Sequence, residues 1–444
     1  ERFDMAALGA YLAKWSSHFD LFHPETPFYQ VPRLVEQSTN YQRGKKPARE
    51  MIAEQSSYGA PRELFESRPD EFAPISAAAA ARWLVSMQAF HTGGLLTRDA
   101  GNGDPTSVQA APLCGVAVVT VFGRNLFETL MLNLLPYPDA GIFATSADDS
   151  PAWEKPASER YRKRAPKGWL DWLTWQSRRI QLFGDAEKGV ESFLLLSGND
   201  LSSSEAPRDA MCAYRETEKF GYLPIRFSEE KALWRDSVAL VQCQDEDTAH
   251  GLRSARVVAA LARRSVEAGQ DLKLHVYGQI PNKASIVLTR REVVPIPTQL
   301  IDSPELVGTI REVIQLAEEI QQALRESLFL AAQRVLGLGD RNPDKKDIRQ
   351  LLDGTQAVQR FWAALKPAFD RFLMTLPTDS NEAAMQFRLA ARKEAVNSFS
   401  QAARQLGNEG RTLKGFALGQ SHLNRELARL NPRCAVTSQA TPSN

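Results

Sequence analysis

The amino-acid sequence predicts an α+β protein: a large mixed α/β N-terminal domain over 1–300, a C-terminal four-helix bundle over 301–434, and a flexible tail over 435–444. Three observations carry that prediction. The chain's 444 residues exceed one ordinary core, and roughly 150 residues per domain calls for two or three. Up to about residue 300, short helical and strand patterns alternate with many Pro and Gly. Beyond it, apolar residues recur at steps of three and four between short Pro- and Gly-marked links.

In the N-terminal part, Ile75 to Phe90 reads as a helix begun by Ser76, with an Ala-rich face. Ala110 to Phe122 is the longest apolar run. It falls short of the roughly 20 residues that cross a bilayer and reads as a buried strand, clearest over Val116 to Phe122. Gly123-Arg124 turns it into the amphipathic helix NLFETLMLNLL. Thr248 to Glu267 reads as a helix with Val257, Ala260 and Leu261 on one face. Leu272, Leu274 and Val276 then alternate with Lys273, His275 and Tyr277 as a strand requires. The stretch HVYGQIPNKASIVL (275–288) continues as a strand pair that breaks at Ile280-Pro281 and turns through Asn282 and Lys283. Solvation alone accounts for polar residues in a turn.

The bundle begins at Asp302-Ser303-Pro304, with Ser303 as N-cap and Pro304 at the first helical position, where a missing N–H costs nothing. Leu306, Ile310, Val313, Ala317, Ile320 and Leu324 open an apolar stripe on one long helix that ends near Gly337. Lys346 to Leu376, Asn381 to Leu406 and Thr412 to Leu430 supply three more helices, punctuated by Pro377, Gly407 and Gly410.

Composition excludes some functions. With 43% hydrophobic and 24% charged residues the chain is globular, and a net charge of +1 gives no global field toward nucleic acid or membrane. Phosphate binding would come from local patches. Cys114, Cys212, Cys243 and Cys434 lack metal-like spacing, so reduced thiols are expected, with neither disulfide nor zinc. No signal-peptide pattern precedes the first helix, and the chain, which starts at Glu1, reads as a trimmed or partial cytoplasmic protein.

Enzymatic signatures are missing: no GxxxxGK[ST], HExxH, GxSxG or Cys/His cluster occurs, and no catalytic residue is assigned. Gly101-Asn102-Gly103-Asp104 could approach a phosphate backbone closely, or form a plain surface loop. Asp245-Glu246-Asp247 could bind a nuclease metal, or simply stabilise the start of the helix that follows. Histidines 18, 23, 91, 250, 275 and 422 share no spacing. RYRKRAPKGWLDWLTWQSRR (160–179) interleaves aromatics and basic residues as a nucleic-acid groove does. Trp169, Trp172 and Leu173 nevertheless fall at helical spacing, which favours a core anchor with Arg162, Lys163, Arg164 and Lys167 solvated. Arg388, Arg392 and Lys393 form a basic stripe in the bundle, extended by Arg404, Arg411 and Lys414, and a charged helix surface explains it equally.

FDLFHPETPFYQV (19–31), SAAAAARWLVSMQAFHTGG (76–94), AAPLCGVAVVTVFGRNLFETLMLNLLP (110–136), PAWEKP (151–156), WLDWLTWQSRRIQL (169–182) and HVYGQIPNKASIVLTRREV (275–293) occur in that order before the bundle. Together they resemble the CasA family, the large subunit of Cascade, the type I-E CRISPR surveillance complex. The resemblance implies a non-catalytic reader of target double-stranded DNA. Such a reader inspects the protospacer-adjacent motif through the minor groove and helps open the duplex for guide CRISPR RNA. It also recruits a helicase-nuclease and contacts other Cascade subunits. No cofactor, membrane or zinc is implied.

Carried over by residue, the family's wedge falls on Asn282 and Lys283, with Lys283 standing where an amide is common. Its glycine loop falls in the stretch from Gly101, Asn102 and Gly103 to Ser107, and its basic finger near Arg215 or Lys219. The aromatic of its guide-facing loop falls at Phe65, and Arg388, Arg392 and Lys393 are candidates for strand contact. The family's N-terminal strands have no counterpart in this sequence. The rival readings are a metal-dependent nuclease using Asp245, Glu246 or Asp247, and a purely structural scaffold protein.

Overall fold

The computed structural model describes residues 3–38, 44–52, 73–95, 104–105, 107–135, 147–158, 160–201, 209–228, 233–236, 251–263, 271–282, 285–300, 303–337 and 343–430. The chain divides into two units. One is drawn from Glu1–Glu229, Asp245–Ala260 and His275–Glu292, the other from Glu230–Gln244, Leu261–Leu274 and Val293–Asn444.

In the first unit, α1 (Met5–Lys14) starts at Asp4, whose carboxylate accepts from the Ala6 and Ala7 amides, each at 3.0 Å. A three-stranded sheet runs in the order β1 (Lys45–Pro47), β7 (Gly189–Ser197), β6 (Arg178–Asp185), all antiparallel. Onto it packs α2 (Ala77–Phe90), begun by Ser76 as expected; the Ser76 hydroxyl accepts from the Ala79 amide at 3.3 Å. Ala80, Leu84 and Met87 meet Ile180, Val190 and Phe193 in one core. This is the outcome of an apolar helix stripe meeting the inward side of alternating strands.

The remaining strands of this unit make small sheets. β2 (Gly94–Leu95) pairs with β3 (Ser107–Val108), and β5 (Arg162–Arg164) runs parallel to β8 (Asn199–Leu201). β9 (Tyr214–Thr217) lies between β10 (Gly221–Pro224) and β11 (Leu252–Arg253). β12 (Asp271–Asn282) lies between β13 (Ser285–Pro297) and β4 (Val118–Phe122); of the two long strands, His275–Asn282 and Ser285–Glu292 belong to this unit and the remainder to the other.

Three local expectations are corrected. Ala110 is exposed and the run is mostly buried only from Ala111, becoming strand at Val118, because Leu113 to Val116 turn, with Gly115 at φ 74°. The expected Thr248–Glu267 helix is only α5 (Arg256–Ala259) followed by a 3₁₀ turn to Arg263 among the described residues. Leu252 and Arg253 pair instead with Arg215 and Tyr214, and Gly251 sits at φ 63°, outside helical space. Trp169 and Trp172 are buried on a short helix, α4 (Trp169–Leu173), after α3 (Leu126–Asn133), but Leu173 is 51% exposed.

In the second unit the long helix α6 (Pro304–Leu336) begins as expected, with the Ser303 hydroxyl accepting from the Leu306 amide at 3.3 Å. The expected Lys346–Leu376 helix is two, α7 (Lys345–Thr355) and α8 (Ala357–Thr375). Gln356 breaks it at φ 50°, a left-handed cap, and the Thr355 hydroxyl turns back to the Leu352 carbonyl at 2.6 Å. α9 (Ser380–Gln405) and α10 (Gly410–Arg429) complete it. The four long helices pack together and α7 lies against α6. Gly415 and Gly419 let α10 approach α6 closely: a Cβ at 419 would stand 2.6 Å from the Ser327 carbonyl oxygen.

Candidate nucleic-acid interface

The β12–β13 hairpin grades from a buried base to an open tip. Leu272, Leu274, Val276, Val294 and Ile296 are buried, while Asn282 and the stretch Val287 to Thr289 are exposed. His275 is buried and stacks face to face on Phe122, with ring centroids 3.8 Å apart. Arg291 Nη2 lies 3.0 Å from His275 Nδ1, and the Tyr277 hydroxyl lies 3.2 Å from the same nitrogen. The imidazole is therefore a packed structural group and not a base facing solvent.

Further out, Gly278 lets the strand lie on Phe227 and on the Val116 carbonyl. Pro281 reaches Gly115, where a Cβ would stand 3.0 Å from Pro281 Cγ and 3.4 Å from Arg226 Nη1. Proline ends the donor ladder and stiffens the chain one residue before the turn. That is the physical role of the break at Ile280-Pro281. Asn282 is exposed at the tip; Lys283 and Ala284 lie outside the described residues.

A second hairpin, β9–β10, carries Arg215 and Lys219. Its turn is fixed by Thr217, whose hydroxyl accepts from the Phe220 amide at 3.2 Å and donates to the Gly221 carbonyl at 2.8 Å, with Gly221 at φ 64°. Lys219 is exposed with its ammonium 5.1 Å from the centre of the Phe220 ring, and Phe220 is 65% exposed. Arg215 is exposed on β9, in register with Leu223 and Leu252. Across the strand, Arg253 stacks on Tyr222 at 3.9 Å.

Both hairpins hang on one support. The Ala117 amide donates to the Ile225 carbonyl at 2.9 Å and the Val119 amide to the Met211 carbonyl at 2.7 Å, while β4 pairs with β12 on its other edge. Sequence reasoning missed Phe220 and Arg226. The signal for Phe220 was an aromatic directly beside a turn glycine and a lysine; Arg226 had none.

Elsewhere the basic and aromatic segment is more structural than expected. Arg164, expected to be solvated, grips Asp171 through two nitrogens at 2.5 and 3.0 Å and stacks on Trp175 at 4.2 Å. Lys155 and the Lys167 amide complete the Asp171 shell at 3.1 and 2.8 Å. Burial raises the Asp171 carboxyl's pKa. The hydrogen bonds from Arg164 and Lys167 and the charges of Arg164 and Lys155 outweigh this and hold it below the ordinary carboxylate range.

Gly101, Asn102 and Gly103, Phe65, and the acidic cluster Asp245, Glu246 and Asp247 lie outside the described residues. Among the described residues no three His, Cys, Asp or Glu stand together to hold a metal, and no helix is long and apolar enough to cross a membrane.

The basic stripe lies on α9, in the other unit. Arg388 is largely covered and sits 4.0 Å from Glu312 of α6; Arg392 is half-buried and Lys393 exposed. Arg404, Arg411 and Lys414 are exposed, and Arg411 donates to the Gly337 carbonyl at 3.3 Å.

Comparison with known proteins agrees with this architecture. The family described as CRISPR-associated protein Cse1 matches residues 1–406. The CRISPR-associated protein CasA/Cse1 of Thermus thermophilus is 33% identical over 433 residues, covering 95% of this chain and 81% of that protein. A crystal structure of Thermus thermophilus CasA superposes with a TM-score of 0.78 at 29% identity, over 96% of this chain and 84% of that one. A chain of a CRISPR RNA-guided surveillance complex shares the fold, with a TM-score of 0.67 at 20% identity over 95% and 83% of the two chains.

Proposed function

The chain belongs to the CRISPR-associated Cse1 family, and from that premise we propose that it is the non-catalytic large subunit of a type I-E CRISPR surveillance complex. In this reading it recognises the protospacer-adjacent motif in double-stranded target DNA and promotes duplex opening and R-loop formation. It then recruits the helicase-nuclease of antiviral defence.

The observation that carries the reading is the β12–β13 hairpin: rooted at a buried base, stiffened by Pro281 and exposed at Asn282. A wedge driven between base pairs must offset stacking of ~1.4 kcal/mol per step until guide pairing compensates. Resisting that load requires support behind the tip, and Phe227, Val116 and Gly115 supply it. The minor groove offers acceptors on every pair and one extra donor at G·C, a degenerate pattern suited to glycine backbone and a lysine. Lys219 and Arg215 on the neighbouring hairpin, and Lys393 and Arg392 in the helical unit, are proposed phosphate contacts. Lys219 is the better candidate for the basic finger, because its tip is locked by Thr217 and Gly221. With a net charge of +1, such contacts stay local and sensitive to salt.

Reconstitution tests the assignment. A complex assembled with guide RNA is expected to bind motif-bearing duplex only when this chain is included. The chain with Mg²⁺ or Mn²⁺ is expected to leave DNA intact. Cleavage by the chain alone would favour a nuclease, and motif binding without it would favour a scaffold.

A further inference from the structure

The strap of residues 225–228, which follows β10 and passes against the β12–β13 hairpin, carries one arginine that the fold leaves uncommitted. Ile225 holds the near end: its amide donates to the Ala213 carbonyl at 2.8 Å and its carbonyl accepts from the Ala117 amide at 2.9 Å. Phe227 is buried against Gly278. At the far end Arg290 of β13 donates through Nη1 to the Ser228 carbonyl at 2.9 Å, with its guanidinium 6.0 Å from the centre of the Phe227 ring. The backbone on both sides of Arg226 is thereby fixed.

Arg226 itself is exposed, because it alternates with Ile225 and Phe227, which turn inward. Its guanidinium stands at the foot of the hairpin tip. A Cβ on Gly115 would lie 3.0 Å from Pro281 Cγ and 3.4 Å from Arg226 Nη1, so the proline ring and the guanidinium flank one point. The exposed Asn282 follows directly. Burial raises the pKa of the Cys114 thiol, and the charges of Arg178 and Arg226 act against it, so the field of Arg226 falls on this same turn.

The neighbouring arginines are engaged. Arg253 stacks on Tyr222 at 3.9 Å, Arg290 holds Ser228, and Arg291 Nη2 lies 3.0 Å from His275 Nδ1. Among the described residues Arg226 has no hydrogen-bond or ion-pair partner. A guanidinium carries five N–H donors in a fork that matches the oxygens of a phosphate, and here the fork is left to solvent.

We propose that Arg226 is a DNA-contact residue that takes a backbone phosphodiester of the target duplex at the step where the hairpin tip stands. This deepens the duplex-opening function proposed above and rests on it. A wedge pushed into stacked bases is driven back unless the duplex is held close by, and a phosphate gripped at the foot of the tip supplies that hold. Such a contact positions the duplex and carries no sequence information.

The test uses the complete complex with guide RNA and reads binding of motif-bearing duplex over a range of salt. Arg226→Ala is expected to weaken binding about tenfold, the loss of one charge-assisted hydrogen bond, and to lower the slope of log affinity against log salt by roughly 0.9. Arg226→Lys keeps the charge but not the fork, so the slope should stay while part of the affinity is lost. Backbone phosphates beside the motif are then replaced one at a time by neutral methylphosphonates. One replacement is expected to weaken the wild type about tenfold and to leave Arg226→Ala unchanged, which a merely structural role for the arginine would not produce. If every replacement weakens both proteins by the same factor, or if Arg226→Ala keeps the wild-type affinity and slope, the phosphate contact is overturned and the opening function stands. Duplex binding that is the same with and without this chain in the complex removes the function, and the contact with it.

Discussion

Gly278 lies directly against Phe227: a Cβ on the glycine would come within 2.4 Å of Phe227 Cδ2 and 2.7 Å of the Val116 carbonyl oxygen. No side chain fits there without moving the hairpin or its support. Gly278→Ala is therefore expected to cost about 1–3 kcal/mol by overpacking. It should also slow R-loop formation on duplex while leaving assembly with the other subunits intact. Thermal melting and R-loop footprinting read the two effects; an unchanged melting temperature would mean that the hairpin is not seated on Phe227.

Asp171 is the hub that holds Arg164 and Lys155 to α4. Asp171→Ala leaves both cations facing a half-dry site, and a loss of about 3 kcal/mol in unfolding free energy is expected. Chemical denaturation checks it. Asp171→Asn should fall between the variant and the wild type, since the Lys167 amide keeps an acceptor.

His91 supplies a pH dependence at the glycine-segment stem. Burial, then the nearby Arg178 charge, push its pKa down to about 3 from an ordinary 6.5, against the hydrogen bond of its Nδ1 to the Thr92 carbonyl at 2.6 Å; Lys46 acts in the same direction as Arg178. The unfolded chain therefore binds the proton first. This contribution to stability is complete above pH 6.5, and it is lost as pH falls from there toward 3. Asp171, whose carboxyl lies below its ordinary 3.8, adds a further loss at the acid end. Melting temperature against pH should thus fall below 6.5, and less steeply in His91→Gln. Parallel wild-type and His91→Gln curves would remove His91 as the cause.

Elements with a self-contained local signal were legible in the sequence. Ser303-Pro304 marks the start of α6, Ser76 the start of α2, and the alternation from Leu272 marks β12, because caps and periodicity act within one turn or strand. The break at Gln356 was not legible, since apolar spacing continues through it and the turn depends on one left-handed residue. Leu252 and Arg253 were read as helix because their strand partners, Arg215 and Tyr214, lie far away in sequence. For the same reason the burial of Arg178 and Arg179 had no sequence signal. Two adjacent arginines read as surface until Gln109 and Asp104 are brought to them. The β9–β10 turn and its Phe220 had no reading in the sequence.

On the proposed function, the α9 stripe would bear on affinity more than on specificity. Lys393→Ala and Arg392→Ala together should weaken DNA binding to a similar degree on all sequences. They should also reduce the slope of log affinity against log salt by roughly 0.9 for each phosphate that is no longer neutralised. Arg388→Ala should change it less, because Arg388 is largely covered and close to Glu312. A salt titration of the complex distinguishes these; an unaltered slope would place the nucleic acid away from α9.

The most direct measurement of the central claim is R-loop formation by the Asn282→Ala, Lys283→Ala double variant on two targets differing only in whether the duplex is already open. A wedge is needed only where bases are still stacked, so R-loop formation should fail on intact duplex and proceed at the wild-type rate on the bubble. Equal loss on both targets, or none on either, would contradict the hairpin's role in opening DNA.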